Sequence, residues 1–265
     1  MMIGSLLRIL VGVVACALLL AWLFQERLIF FPQPLGSRPR PRPGLEHVTV
    51  VAGDGAVLRG WLASGRTKAA PLVIYFGGNA EEVSWLAGSV DDFAGWSLLF
   101  VNYRGYGESE GRPGESDLLS DAVAIYDFAR RRPDVNPERI VAMGRSLGSG
   151  VAVHLAAERS LRGVILVSPY DSLVEVGRRH YPFLPISLML RHRFDSIARA
   201  PGIDAPLLCI VAGNDQVIPT AHSRALFEAW RGAKTWREVR EADHNSVADD
   251  PEYRRSIALF LNSLR

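Results

Sequence analysis

Gly144-Arg145-Ser146-Leu147-Gly148 holds a serine between two glycines, after the apolar run Ile140-Val141-Ala142-Met143 and before a helical pattern from Gly150 to Ala157. Between a strand and a helix, G-x-S-x-G marks a turn so sharp that the serine hydroxyl stands above the sheet edge. Side chains at Gly144 or Gly148 would block that turn or hold the helix off the sheet. A serine hydroxyl is a weak nucleophile and needs a base. Histidine titrates near working pH, so it can take the proton and return it to a leaving group. A carboxylate can fix the imidazole tautomer and stabilise the imidazolium. Asp215 follows the apolar run Leu207 to Val211, and His244 follows a strand pattern ending near Val239. Both therefore fall at the carboxyl ends of expected strands, where ligands bind in a doubly wound sheet. The order Ser146, Asp215, His244 is the order this arrangement requires.

An oxyanion needs donors as well. The backbone N–H of Leu147, next to the serine, is one. The loop after the strand Leu72 to Phe76 reads Gly77-Gly78-Asn79-Ala80. Its glycines let the backbone approach a substrate, and the N–H of Asn79 is the expected second donor. Other residues compete for these roles. Asp171 also follows an apolar run and is an alternative acid, or the cap of the next helix. His222, at an expected helix start, reads as structural. His154 packs on the helix after the serine. His180 and His192 lie in an insertion, solvated or touching substrate. His47 merely begins a strand. Arg104 to Ser109 reads as a turn that shapes the pocket. No histidine spacing suits a metal, and no metal or other cofactor is expected.

The elements that must position these residues alternate. His47 to Val51 and Val57 to Leu62 flank Gly53-Asp54-Gly55 and predict an antiparallel hairpin. Strands are expected at Leu72 to Phe76, Ser97 to Val101, Ile140 to Met143, Gly163 to Val167, Leu207 to Val211 and Thr235 to Val239. Helices are expected at Glu81 to Phe93, Asp117 to Arg132, after Gly148, at Ser223 to Trp230 and at Pro251 to Leu264. The alternation predicts an α/β fold, a doubly wound, mostly parallel sheet that starts with the hairpin. Nearly 40 residues separate Val167 from Leu207, longer than one connecting helix needs. They predict a short cap at about residues 172–204.

Gly77-Gly78-Asn79-Ala80, Asn102-Tyr103-Arg104-Gly105-Tyr106-Gly107-Glu108-Ser109, the serine pentapeptide, Gly213-Asn214-Asp215-Gln216-Val217-Ile218-Pro219 and Asp243-His244-Asn245 form a series. It resembles the motif series of the alpha/beta-hydrolase superfamily. It is most like the compact membrane-anchored members, which carry an N-terminal helix and an apolar, proline-ended segment like Leu28 to Pro32. The resemblance covers roughly residues 25–265. It departs at Gly77, where many members have histidine. It implies a serine hydrolase that cleaves carboxylic esters, thioesters or some peptides through an acyl-enzyme on Ser146, His244 and Asp215. A serine aminopeptidase is the enzymatic alternative. A non-catalytic binding protein on the same scaffold is the alternative of another class.

The 265 residues are 48% hydrophobic and 22% charged, enough for one large domain with its own core. The net charge of +2 is unevenly placed. Arg8, Arg27, Arg38, Arg40 and Arg42 face only Glu26 before residue 44, and the rest of the chain is slightly acidic. Nucleic acid is therefore excluded as a partner of the globular part. From Ile3 to Phe24 the sequence is apolar but for Arg8, which predicts a single-pass transmembrane anchor over residues 1–24. A cleaved signal peptide and a lipoprotein site at Cys16 are disfavoured, because the sequence stays apolar through Phe24. The helix implies membrane lipid as a partner. The positive-inside rule would put the domain in the cytoplasm, and a signal-anchor would put it outside. Residues 25–45 read as a juxtamembrane linker rich in Arg and Pro, and residues 46–265 as the hydrolase domain. An apolar cap beside a lipid surface favours a lipophilic acyl ester or thioester as substrate. Cys209 reads as core, and no disulfide is expected.

Overall fold

The computed structural model describes the backbone of residues 2–65 and 69–264, and the side chains of these except 2–4, 7 and 11. In chain order the elements are α1 (Met2–Leu23), α2 (Gln25–Ile29), β1 (Leu45–Val51), β2 (Val57–Ala63), β3 (Ala70–Phe76), β4 (Ser97–Val101), α3 (Glu115–Arg130), β5 (Val135–Arg145), α4 (Leu147–Glu158) and β6 (Gly163–Val167). They continue as α5 (Leu173–His180), α6 (Ile186–Met189), α7 (Ser196–Arg199), β7 (Leu207–Ala212), α8 (Thr220–Ala229), β8 (Lys234–Val239) and α9 (Pro251–Ser263). The strands form one 8-stranded sheet in the order β1-β2-β4-β3-β5-β6-β7-β8. β1–β2 and β2–β4 are antiparallel, and every later pair is parallel. This is the expected doubly wound sheet with its opening hairpin.

Alternation along the strands feeds two cores. Leu72, Ile74 and Phe76 face the layer holding Leu118, Val151 and Leu226 from α3, α4 and α8. Val73 and Tyr75 face Val83, Phe93, Ile257 and Leu261 on the opposite side. Strands buried on both faces read as unbroken apolar runs, which is why they are visible in the sequence. The span expected as one helix over Glu81 to Phe93 instead forms two 3₁₀ turns, Val83–Gly88 and Val90–Phe93. Gly88 and Ser89 at their junction are poor helix formers, and a tight 3₁₀ run rarely extends far.

The N-terminal expectation is corrected. Among the described residues no helix is long and apolar enough to cross a membrane. The single-pass transmembrane anchor, the signal-anchor and the membrane location are thereby overturned, and neither membrane lipid as a partner nor likeness to the membrane-anchored branch is supported. The end of α1 and the segment after it lie on the domain. The Arg191 guanidinium sits 5.1 Å from the Trp22 ring centroid. Gln25 is buried and so is Phe30, whose ring meets His192 and Phe194 edge-on. Further on, Gly107 donates to the Gln33 carbonyl at 2.7 Å, and Arg38 pairs with Glu108.

The insertion between β6 and β7 consists of α5, α6 and α7, a 3₁₀ turn at Ala200–Gly202, and extended connections. Its surface exposes Tyr181, Phe183 and Leu188 beside the charged Arg178, Arg179 and Arg191.

Candidate active site

Ser146 lies between β5 and α4 with φ 50° and ψ −117°, a conformation L residues rarely adopt. Holding it costs about 1–3 kcal/mol, so the surroundings must impose it. They do so by contact. A Cβ on Gly144 would strike the Gly148 carbonyl oxygen, and one on Gly148 would strike the Phe76 carbonyl oxygen and lie 2.5 Å from that of Gly77. The Ser146 N–H donates to the Val167 carbonyl of β6 at 2.9 Å. The N–H and Oγ of Ser149 both donate to the Ser146 carbonyl, at 2.9 and 2.7 Å. The strained turn is thus set by two glycines and a neighbouring strand.

Asp215 and His244 come to the same sheet edge. His244 Nε2 is 2.9 Å from Ser146 Oγ, and His244 Nδ1 is 2.8 Å from Asp215 Oδ2. All three residues are buried. The other carboxylate oxygen of Asp215 accepts from the N–H groups of Val217 at 2.9 Å and Ile218 at 2.7 Å. Burial pushes the Asp215 carboxyl up, but the hydrogen bonds from His244 and Ile218 outweigh it and hold the group below its ordinary value. Asp215 is therefore an acceptor, Nδ1 carries the proton toward it, and a neutral imidazole leaves the Nε2 lone pair facing the serine hydroxyl. The turn that presents His244 is folded by Asp243, whose Oδ1 accepts from the N–H groups of Asn245 and Ser246 at 2.9 Å each.

The loop after β3 lies against the serine: a Cβ on Gly78 would come 3.6 Å from that of Ser146. Among the described residues, neither the Leu147 nor the Asn79 N–H donates to a protein acceptor. The Asn79 side chain ties the loop to the N-terminal segment. Its Nδ2 donates to the Ile29 carbonyl at 2.5 Å, and its Oδ1 accepts from the Phe31 N–H at 3.0 Å and the Tyr106 hydroxyl at 2.8 Å. Glu81 braces the same loop. It accepts from the Gly78 N–H at 2.6 Å, the Tyr75 hydroxyl at 2.8 Å and Arg145 at 3.1 Å. Arg145 in turn donates to the His244 carbonyl at 3.1 Å. Neither the Asn79 side chain nor the Glu81–Arg145 brace was expected from the sequence. The one hint was a charged residue at the variable position before the serine.

The rivals fall elsewhere. Asp171 and His222 pair with each other, Asp171 Oδ1 to His222 Nδ1 at 3.0 Å, and among the described residues neither bonds to Ser146. His180 Nε2 lies 2.9 Å from the Val217 carbonyl. His192 Nδ1 accepts from the Glu115 N–H at 3.2 Å, and His154 is half-buried on α4. His47 lies 3.6 Å from Glu108 on the hairpin. Arg104 is buried and bridges Asp121 and Asp54, which makes its turn a structural brace. Among the described residues no group of His, Cys, Asp or Glu could hold a metal.

The family model described as "Serine aminopeptidase, S33" matches residues 67–184. "Uncharacterized protein Rv2307c" of Mycobacterium tuberculosis (strain ATCC 25618 / H37Rv) is 38% identical over 239 residues, covering 87% of this chain and 83% of that protein. The "Alpha/beta hydrolase domain-containing protein WAV2" of Arabidopsis thaliana is 26% identical, covering 82% of this chain and 79% of its own length. Among solved structures, an acetyl xylan esterase from Paenibacillus sp. R4 superposes with a TM-score of 0.72 at 19% identity, over 92% of this chain and 93% of that one. That likeness speaks for the fold alone. The fold, the family model and relatives aligned along most of their length agree, and the chain belongs to the alpha/beta-hydrolase superfamily.

Proposed function

We propose that this protein is a serine hydrolase that cleaves carboxylic esters or thioesters, with Ser146 as nucleophile, His244 as base and then acid, and Asp215 as orienting carboxylate. The observation that carries the reading is the continuous relay from Asp215 Oδ2 through His244 to Ser146 Oγ, with links of 2.8 and 2.9 Å. Ser146 Oγ attacks the carbonyl carbon while its proton passes to His244 Nε2. The N–H groups of Leu147 and Asn79 hold the oxyanion. The tetrahedral centre collapses, the bond to the leaving oxygen or sulfur breaks, and that atom takes the proton from His244. Water then attacks the acyl-enzyme, giving one proton to His244, which returns it to Ser146 Oγ as the acid departs. The domain doing this is taken as residues 46–265, with residues 172–204 as its cap and residues 25–45 leading into it.

A fluorophosphonate probe tests the reading. The wild-type protein is expected to label, and Ser146→Ala to remain unlabelled. Labelling that persists in Ser146→Ala would defeat the assignment.

The description of the matched family model favours a second reading, a serine aminopeptidase. It requires a carboxylate free to meet a substrate amine, and Glu81, the acid nearest the loop, is engaged by Arg145 and Gly78. Release of a fluorophore from aminoacyl amides faster than from acyl esters would select it.

A further inference from the structure

Between the N-terminal segment and the cap lies an apolar hollow of about 380 Å³. Ala21, Leu28 and Ile29 form one wall, and Tyr181, Leu184 and Met189 the other. Gln25 also lines it, but its amide is spent. Its Nε2 donates to the carbonyls of Trp22 at 2.9 Å and Met189 at 3.3 Å, and its Oε1 accepts from the Arg191 N–H at 2.8 Å. An ordered water needs polar partners, and this lining offers few. Hydrocarbon suits it better, since each methylene moved out of water gains about fourfold in binding.

The hollow is joined to the chemistry through Ile29. This residue lines the hollow, and its carbonyl takes the Asn79 side-chain N–H at 2.5 Å. Asn79 follows Gly78, where a Cβ would lie 3.6 Å from that of Ser146. The hollow, walled by two segments distant in sequence, thus begins one hydrogen bond beyond the loop that lies against Ser146.

We infer that this hollow receives the aliphatic acyl chain of the substrate, and that residues 21–29 are a specificity element of the site. The inference rests on the serine-hydrolase reading above and adds to it the part of the substrate that is recognised. It assigns to the N-terminal segment a role in substrate choice. It also explains why the segment is held by a buried glutamine and a buried phenylalanine.

The test uses the full chain and p-nitrophenyl acetate, hexanoate, octanoate and dodecanoate, so that the leaving group is constant. In the wild type, kcat/KM is expected to be at least tenfold higher for octanoate than for acetate. Leu184→Trp, which fills the hollow from its half-exposed wall, is expected to lower that ratio at least tenfold. Leu184→Ala, which widens it, is expected to move the optimum to a longer chain, and it serves if the tryptophan variant does not fold. A wild type that labels at Ser146 with fluorophosphonate yet shows no chain-length preference overturns the acyl-chain assignment alone. So does an octanoate-to-acetate ratio that neither variant shifts. A wild type that does not label overturns the hydrolase reading, and this inference with it.

Discussion

Arg145, the residue before the serine, donates to the backbone carbonyl of His244 at 3.1 Å across 99 positions of sequence. Its other terminal nitrogen lies 3.1 Å from Glu81, which holds the Gly78 N–H. One guanidinium therefore spans the loop that carries His244, the proposed base, and the loop that carries Asn79, the proposed oxyanion donor. Losing it should shift both without removing a reacting group. Arg145→Met is expected to lower kcat by about 10- to 100-fold with a smaller change in KM. Glu81→Gln should cost less than additively on top of it, because the two side chains act together. Steady-state kinetics on an acyl ester for the four proteins of the cycle would check this. Strict additivity would show that the brace does not act as a unit.

Removal of the proposed reacting groups has a steeper signature. Ser146→Ala and His244→Ala should each reduce ester turnover by at least about 10⁴-fold, and Asp215→Asn by about 10⁴-fold through loss of the productive tautomer. Circular dichroism should remain that of the wild type. An Asp215→Asn enzyme within tenfold of the wild type would move the acid to another residue, with Asp171 the first to examine.

Gly148 packs its Cα against the carbonyls of Phe76 and Gly77. Gly148→Ala is expected to destabilise the domain by about 1–3 kcal/mol, as overpacking does, and to distort the oxyanion loop. Urea unfolding measures the first effect and fluorophosphonate labelling rate the second. A midpoint unchanged from the wild type would contradict so close an approach.

Asp54 offers a pH test away from the active site. The hydrogen bonds from Arg104 and the Ala56 N–H hold its carboxyl at about 2, against an ordinary value of 3.8. Because the folded value lies below the unfolded one, the unfolded chain binds more protons between them. The contribution of Asp54 is therefore fully present above about pH 4 and is lost as pH falls toward about 2. Asp54→Asn should flatten the fall of melting temperature with acid in that window. Parallel curves for variant and wild type would rule out the linkage.

The elbow is legible in the sequence because its constraint is local. Gly144 is needed by atoms of Gly148 and Ser149 in the same turn, and Gly148, though it answers to the Phe76 and Gly77 carbonyls, falls at the fixed spacing of the motif. Asp215 and His244 are legible for a different reason: a parallel sheet delivers the carboxyl ends of its strands to one edge, so a chemistry-bearing residue just after a strand is already placed. Asp171 satisfies the same criterion and instead meets His222, which begins a helix. Only the three-dimensional path of the chain after β6 and β7 could show that, since no short-range pattern links positions 51 apart. Glu81 was hidden inside an expected helix, whereas its carboxylate is engaged by a backbone N–H, a tyrosine and Arg145. The N-terminal run misled because apolar composition does not distinguish a bilayer-spanning helix from one whose end docks on a domain. Here Trp22 and Gln25 meet Arg191 and Met189.

The bond from the Ser146 N–H to the Val167 carbonyl bears on how the protein is made. The serine emerges from the ribosome before β6 does, so the nascent chain carries the pentapeptide without the strand that locks its unfavourable dihedral angles. A growing chain that stops short of Gly163 therefore lacks the acceptor that holds the Ser146 N–H. Asp215 and His244 are made later still, so the contacts of Ser146 with His244 and of His244 with Asp215 can form only once the chain beyond β8 is present.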